Sequence, residues 1–498
     1  MKKLYLFLIL LLAGCSSGDE SPVSTADIFD INLAFTRVSQ VGLDDIKVTT
    51  TITKNGNLLS GVTPVVTAGV TPGAVTLSTI VESSSGVYDF TVTPASTGEV
   101  PVTVSFGGAS KSGTALVLFE VHSDWGQPMS VEGLVNTEGY EDGPVISADG
   151  EWLFVQTGPI YFSGLTYFPD SAGCDGALVG CAATTHGDWV YDAIGPFSAP
   201  ERPGFYTKRI VAGKINHFTD FFGGLDIFSP PTLFYGFKRQ IDGSYAQPFR
   251  VSVNDNQEAL LNPYGLYPRL DSPATATILF AFNDPSDELG DGEPDIYTAR
   301  ITLGQENDLI TFTAAAGMTR TSTTATALNF PSHLGTQGNP HLYSNADGTA
   351  NSVWVDNEKN LDPALDLFFY ELTAGTFPSG TWSSATQLPT DKLDLPAAKE
   401  SMPFFDGTTL YLHRDRGIVS SDYLGGAYNA GGSWANTVSI IDGDGSCIEI
   451  GCISVVGEPT IATINGKTYL FFVYALLRSY DGGAFGDLNM QIGVVEKK

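Results

Sequence analysis

Between Ile46 and Thr53 apolar and polar residues alternate along a run rich in β-branched side chains. That period of two marks a strand with one face buried. Lys54-Asn55-Gly56-Asn57 follows and has the composition of a hairpin turn. The same alternation returns over Gly86–Pro94 and Gly98–Phe106. Strands of this length at this spacing suit a small β-sandwich, expected over residues 28–120.

From Trp125 onward the chain changes character, and a repeat emerges. Residues 141–155 read as a strand, an Asp149-Gly150 turn and a second strand. Echoes begin at Tyr267-Pro268-Arg269, Asn339-Pro340-His341, Met402-Pro403 and Glu458-Pro459, each leading to an apolar strand. A third strand recurs as Phe205–Ile210, Ile296–Ile301, Leu367–Tyr370 and Leu488–Ile492. Each unit is a small antiparallel sheet that cannot bury both faces alone, so neighbours must stack radially and close into a ring. Proline fits the first strand of each unit where no ladder N–H is needed. The gap from Pro144 to Pro268 is wide enough for an extra unit, with Thr232–Phe237 as its strand. The expected fold is therefore all-β: a small sandwich, then a β-propeller over residues 121–498 with six blades, or five as the alternative. Residues 125–131 precede the first unit and are expected to complete the last blade.

Three resemblances rest on particular residues. Met1-Lys2-Lys3, the apolar run Leu4–Leu12 and then Leu11-Leu12-Ala13-Gly14-Cys15 resemble the signal peptide and lipobox of bacterial lipoproteins. That implies removal of residues 1–14, lipidation of Cys15 and a polar tether over 15–27. Ser16 after the cysteine points to the outer membrane, on either its periplasmic or its surface face. The stretch 85–104 resembles bacterial immunoglobulin-like modules of the invasin or filamin kind, which implies a stalk or spacer. The run Trp125-Gly-Gln-Pro, Asn136-Thr137 and Glu141-x-x-Pro144 to Leu153-Phe154, with Asp295-Ile-Tyr later, resembles the TolB-type WD-like propeller repeat.

Charge and cysteines narrow the picture. With 25 Lys plus Arg against 55 Asp plus Glu, the net charge of -30 repels nucleic acid, which is excluded as a partner. The membrane is then a partner through the lipid rather than through charge. Beyond Cys15, Cys174/Cys181 and Cys447/Cys452 form two close pairs in Gly-rich stretches. An exported chain permits two local disulfides, and neither pair has the spacing of a thiolate metal site.

In a propeller, the loops entering the first strands line one mouth of the central channel. Residues flanking the repeat positions are thus the candidate ligand-binding set: Glu141, Asp142, Arg269, His341, Glu400 and Glu458. Carboxylates from different blades could act as acid and base on a glycan, as in five-bladed glycoside hydrolases of family 43. This set does not match that family's motifs, and the propeller repeat itself gives Glu141 a structural role. Asp284, Asp287, Asp291 and Asp295 crowd one loop that could hold a structural Ca²⁺, without an EF-hand register. No other cofactor motif, nucleophile elbow, P-loop or zinc-protease helix is present. The leading expectation is a lipid-anchored binding or scaffold protein for a protein or glycan ligand. The alternative is a carbohydrate-active hydrolase or lyase.

Overall fold

The structure, a computed structural model, describes residues 27–38, 43, 45–69, 75–137, 140–158, 233–252, 264–282, 295–305, 307–313, 319–323, 325–331, 336–345, 350–358, 366–389, 391–393, 395, 398, 400–425, 432–446, 449–479 and 486–498. Over these residues the chain is all-β and almost wholly antiparallel, with no helix.

The N-terminal unit has two facing sheets. One contains β1 (Phe29–Arg37), β2 (Ile46–Lys54), Val87–Pro94 and Val75–Leu77, with β1 at its edge. The other contains Val65–Ala68, Gly98–Phe106 and Ala109–Val117. The alternation read in the sequence is an inside–outside alternation. Ile46, Val48, Thr50 and Ile52 of β2 are buried, and the residues between them are not. Their apolar members meet Tyr88, Phe90 and Val92 and, from the facing sheet, Val100, Val102 and Val104. At roughly 1.5–3 kcal/mol for each fully buried large apolar side chain, this layer is what holds the two sheets together.

The second sheet does not stop at the edge of this unit. Ala109–Val117 pairs through Ala115 with Met129, and Met129–Ser130 pairs with Val494 and Gly493 of the C-terminal strand. A single seven-stranded sheet therefore runs from the N-terminal unit into the last sheet of the chain. Glu120–Val121 adds to the edge of the preceding sheet, opposite Asp442 and Ile441, and Trp125 bridges to Lys497. The segment joining the two units is thus stitched along its length by backbone pairing.

Five larger sheets follow in sequence, each opening with a strand–turn–strand unit, besides a two-stranded ribbon of Ile310–Thr313 and Thr319–Thr323. Their first strands are Tyr140–Ile146, Tyr264–Ser272, Thr336–Ser344, Glu400–Phe405 and Ile453–Ile464. Each of these strands touches the next, and the fifth touches the first, so they form a closed cycle of neighbours. Between consecutive sheets lie separate apolar cores. Phe154, Phe234 and Phe249 of the first meet Ile278, Phe280 and Ile301 of the second. Leu279, Ala281 and Ile296 then meet Leu342, Val353 and Val355 of the third. Trp354 and Phe369 pack on Phe405 and Leu412 of the fourth, and Tyr411, Ile418 and Ile441 pack on Val456, Leu470 and Phe472 of the fifth. Successive residues of one strand, such as Ile278 and Leu279, thus serve opposite cores, which is why Thr275–Phe282 is apolar almost throughout rather than alternating.

One expectation is corrected here. Leu233–Arg239 does not begin a further sheet but pairs with Trp152–Thr157 as the third strand of the first sheet. Residues 159–232, where the wide gap in the repeat falls, lie outside the described residues. Among the described residues five sheets make up the cycle. Phe205–Ile210 lies outside the described residues. The other three recurring segments are the third strands of the second, third and fifth sheets.

Candidate functional site

The hub of the cycle is built from one repeated irregularity. Each first strand breaks its ladder at an equivalent point, Asp142/Val145, Tyr264/Tyr267, Gly338/His341, Ser401/Phe404 and Gly457/Thr460, and the second, third and fifth carry a further shift elsewhere along the strand. The first skipped residue is always left-handed: Gly143 (φ 55), Gly265 (φ 59), Asn339 (φ 42), Met402 (φ 56) and Glu458 (φ 53). The second is Pro144, Leu266, Pro340, Pro403 or Pro459. A proline is tolerated because a bulged residue owes the ladder no N–H. Gly265 has little choice, since a Cβ there would overlap the Asn339 backbone.

This register moves Arg269. The second sheet's hub pair is Gly265-Leu266, two residues before Pro268, so Arg269 lies further down the strand. It sits 3.3 Å from Asp271 and over the Phe377 ring, 5.0 Å from its centroid, and it does not line the hub. The leucine at the second hub position hid the repeat and made Pro268 look equivalent.

Glu141 and Glu400 occupy equivalent positions, two residues before the left-handed one, and both are wholly buried. Each is committed to structure. Glu141 accepts the Thr137 N–H at 3.1 Å, the Thr137 hydroxyl at 2.5 Å and Gln491 Nε2 at 2.8 Å. Glu400 pairs with Arg414 Nε at 2.7 Å, and Arg414 also donates to Thr437 and to the Lys392 carbonyl. Burial still pushes the Glu400 carboxyl above the usual range, with Arg414 pulling it back.

Glu458 is different because it stands at the left-handed position itself. Its Oε2 accepts the Gly143 N–H across the seam between the last and first sheets. Burial first, then the charge of Asp142 and a hydrogen bond to it, and last the charge of Asp356, raise its carboxyl well above the usual range. Asp356 accepts from Asn339 Nδ2 at 2.7 Å and from the Met402 N–H at 3.0 Å, joining the third and fourth sheets as Glu458 joins the fifth and first.

His341 completes the hub. It is 3% exposed, its Nε2 lies 2.8 Å from the Phe405 carbonyl, and its ring stands edge-on to Tyr267. Nε2 is accordingly the donor, and burial lowers its pKa to about 4, so the ring is neutral. Between these groups remains a cavity of about 50 Å³, lined largely by the hub prolines, Tyr267, Phe404 and His341. That is room for about three waters, and none for a sugar ring.

A second space is far larger. A cleft of about 890 Å³ opens between the N-terminal unit and the cycle of sheets. One wall is β1 from Asn32 to Arg37. The other is the hairpin around Arg239 to Tyr245 together with Tyr469, Phe471, Val494 and Glu496 of the last sheet. Most of its charges are matched: Lys111 with Glu132 at 3.2 Å, Lys467 with Glu496 at 2.6 Å, and Asp242 turned onto Ser244 of its own turn. Arg239 has no carboxylate partner among the described residues. Its nearest titratable neighbours include the hydroxyls of Tyr245 and Tyr469.

Glu141, Asp142, His341, Glu400 and Glu458 all lie on first strands, at Tyr140–Ile146, Thr336–Ser344, Glu400–Phe405 and Ile453–Ile464. Sequence reasoning missed Asp356, whose second-strand position directly opposite Gly338 carries no repeat signal. It also missed the cleft, whose walls are contributed by segments hundreds of residues apart. Of the acidic loop only Asp295 is described; it is buried at the start of the second sheet's third strand. Asp284, Asp287 and Asp291 lie outside the described residues, and among those described no group of three or more His, Cys, Asp or Glu is arranged for a metal. Cys452 is a disulfide sulfur, while Cys15, Cys174, Cys181 and Cys447 lie outside the described residues.

No family model matches the chain, and no curated protein matches it. Among solved structures it is similar to an alpha-L-arabinofuranosidase from Lactobacillus brevis, at 10% identity and a TM-score of 0.32, covering 52% of this chain and 86% of that one. A likeness that distant carries no argument about activity.

Proposed function

We propose that this chain is a lipid-anchored cell-envelope binding protein of the outer membrane. Its five sheets act as the blades of a TolB-like β-propeller, and its N-terminal unit is an immunoglobulin-like module that carries the propeller and shares a ligand cleft with it. The cyclic contact of the five first strands supports the propeller reading. The lipobox string ending at Cys15 supports the anchor. The observation that carries a binding rather than a catalytic role is the contrast in room. The hub, where propeller chemistry would sit, holds about 50 Å³ with its carboxyls tied to one another and to backbone N–H groups, while the cleft holds about 890 Å³. A ligand-binding site is ordinarily a cleft of several hundred Å³ between structural units.

One observation favours a second reading, a carbohydrate-active enzyme. Asp142, Asp356 and Glu458 bring two aspartates and a glutamate from three sheets to the hub, and a carboxyl raised above its usual range, as Glu458 is, suits a general acid. A glycan array followed by product analysis on every hit separates the two readings. Binding without turnover is the expected result. Cleavage of any bound glycan that is lost in Glu458→Gln would overturn the binding role.

A further inference from the structure

β1 is an edge strand of nine residues. It pairs with β2 along its whole length, from Phe29 opposite Lys54 to Arg37 opposite Ile46, and with no other strand among the described residues. In such a strand alternate residues direct N–H and C=O groups away from the partner, and these can template a further strand. Natural edges are blunted by shortness, proline, bulges or a covering element. β1 has no proline and its register with β2 is continuous, and it lies along the cleft rather than on the outer surface. At its start Asp30 Oδ1 accepts the Ile31 N–H at 2.9 Å, and Ala109–Val117 of the facing sheet runs close to it.

The charge of the cleft points the same way. The chain carries a net -30, yet the cleft gathers Arg37, Lys111, Arg239 and Lys498. Glu132 and Glu496 are engaged by Lys111 and Lys467, and Asp242 by its own turn, which leaves the Arg239 guanidinium on the wall facing β1 to meet an incoming carboxylate.

From these features we propose that the cleft takes an extended acidic polypeptide segment, which adds to the free edge of β1 as a further strand and sets a carboxylate against Arg239. The inference rests on the binding role proposed above and names its partner. Main-chain pairing supplies affinity, and the cleft selects by charge and by the side chains on the segment's two faces. A glycan has no alternating N–H and C=O groups to match the edge, which is why a polypeptide is favoured over a polysaccharide of equal charge.

The test uses the full chain and three probes: a nine-residue peptide of alternating Val and Glu, the same peptide N-methylated at alternate residues on either register, and an oligogalacturonate of equal charge. Affinity is read by fluorescence anisotropy at fixed low salt. The unmodified peptide should bind, N-methylation on one register should weaken it by about tenfold or more, and Arg239→Glu should weaken it comparably while leaving the unfolding midpoint unchanged. Hydrogen exchange at residues 29–36 should slow on binding. Equal affinity of methylated and unmethylated peptides, tighter binding of the oligogalacturonate, or failure of the acidic peptide to bind would each overturn the proposal. A glycan array that still shows binding without turnover would then leave the broader binding role standing, whereas turnover would remove both.

Discussion

The hub and the cleft are both places where sheets converge, yet their chemistry is opposite. At the hub most of the polar groups that the repeat brings in are matched by another, His341 Nδ1 being an exception among the described residues. Glu458 clasps Gly143, Asp356 clasps Asn339 and Met402, and Arg414 neutralises Glu400. In the cleft, among the described residues, β1 pairs with a strand on one side only and the Arg239 guanidinium stands without a carboxylate. Buried polar groups in a packed centre must be satisfied or they cost more than the fold can spare. Groups left unsatisfied beside water cost little and remain available to a partner. A motif repeated along the chain is therefore better evidence of closure than of function here, and the space for a ligand arises where the repeat meets something else.

The contrast breaks if hub residues prove dispensable to stability. The largest effect is expected for Arg414→Met, which would leave the wholly buried Glu400 without its ion partner. Breaking one half of a buried pair costs about 3–5 kcal/mol, so the urea midpoint should fall far, with the slope unchanged. Next comes Gly265→Ala. Its left-handed backbone and the Asn339 main chain beside it leave no place for a methyl group, and a loss of roughly 2–4 kcal/mol is expected from strain and overpacking together. Gly243→Ala, at the lip of the cleft, is the control. It is also left-handed, but its nearest neighbour is the mobile end of Arg239 at 3.7 Å, so only the smaller backbone cost of about 1–2 kcal/mol applies.

The smallest effect sharpens the comparison by its sign. A carboxyl whose folded pKa is raised contributes stability that is present below its unfolded value and lost as pH climbs through the folded one. Wild-type protein should therefore lose seam stability on going from mildly acid to alkaline solution, and Glu458→Gln should remove that loss. His341 acts oppositely: held neutral with a pKa near 4, it withdraws stability as pH falls from about 6.5 toward 4. Midpoints of urea unfolding measured across pH for the wild type, Glu458→Gln and His341→Gln would show two slopes of opposite sign, each abolished by one substitution. A flat wild-type profile would mean that neither group is buried as described.

How far the sequence could be read depended on how many faces a strand buries. β2 hides one face, so its pattern alternates and both its limits and its orientation could be read. Thr275–Phe282 hides two, and an unbroken apolar run marks a strand without saying what lies on either side. The hub positions were legible where proline marked the bulge, at Pro144, Pro340, Pro403 and Pro459, and were lost at Leu266, which performs the same task without the signal. Glu141 and Glu458 looked alike as glutamates beside repeat prolines. Two residues of offset along the strand make one a tie to a neighbouring turn and the other a clasp across the seam. Leu233–Arg239 passed for the opening of an extra unit because a strand's composition does not say which strand it pairs with. The cleft had no sequence signature at all, since pairing between Met129 and Val494 is what brings its walls together.

The central claim is that ligand is held in the cleft while the hub serves only closure. Hydrogen exchange measured on the full protein, with and without whichever glycan or peptide binds tightest, tests it directly. The claim predicts slowed exchange along residues 29–36 and 126–132 and none at residues 143–145, 339–341 and 458–460. Protection confined to those hub residues, with β1 unchanged, would contradict it.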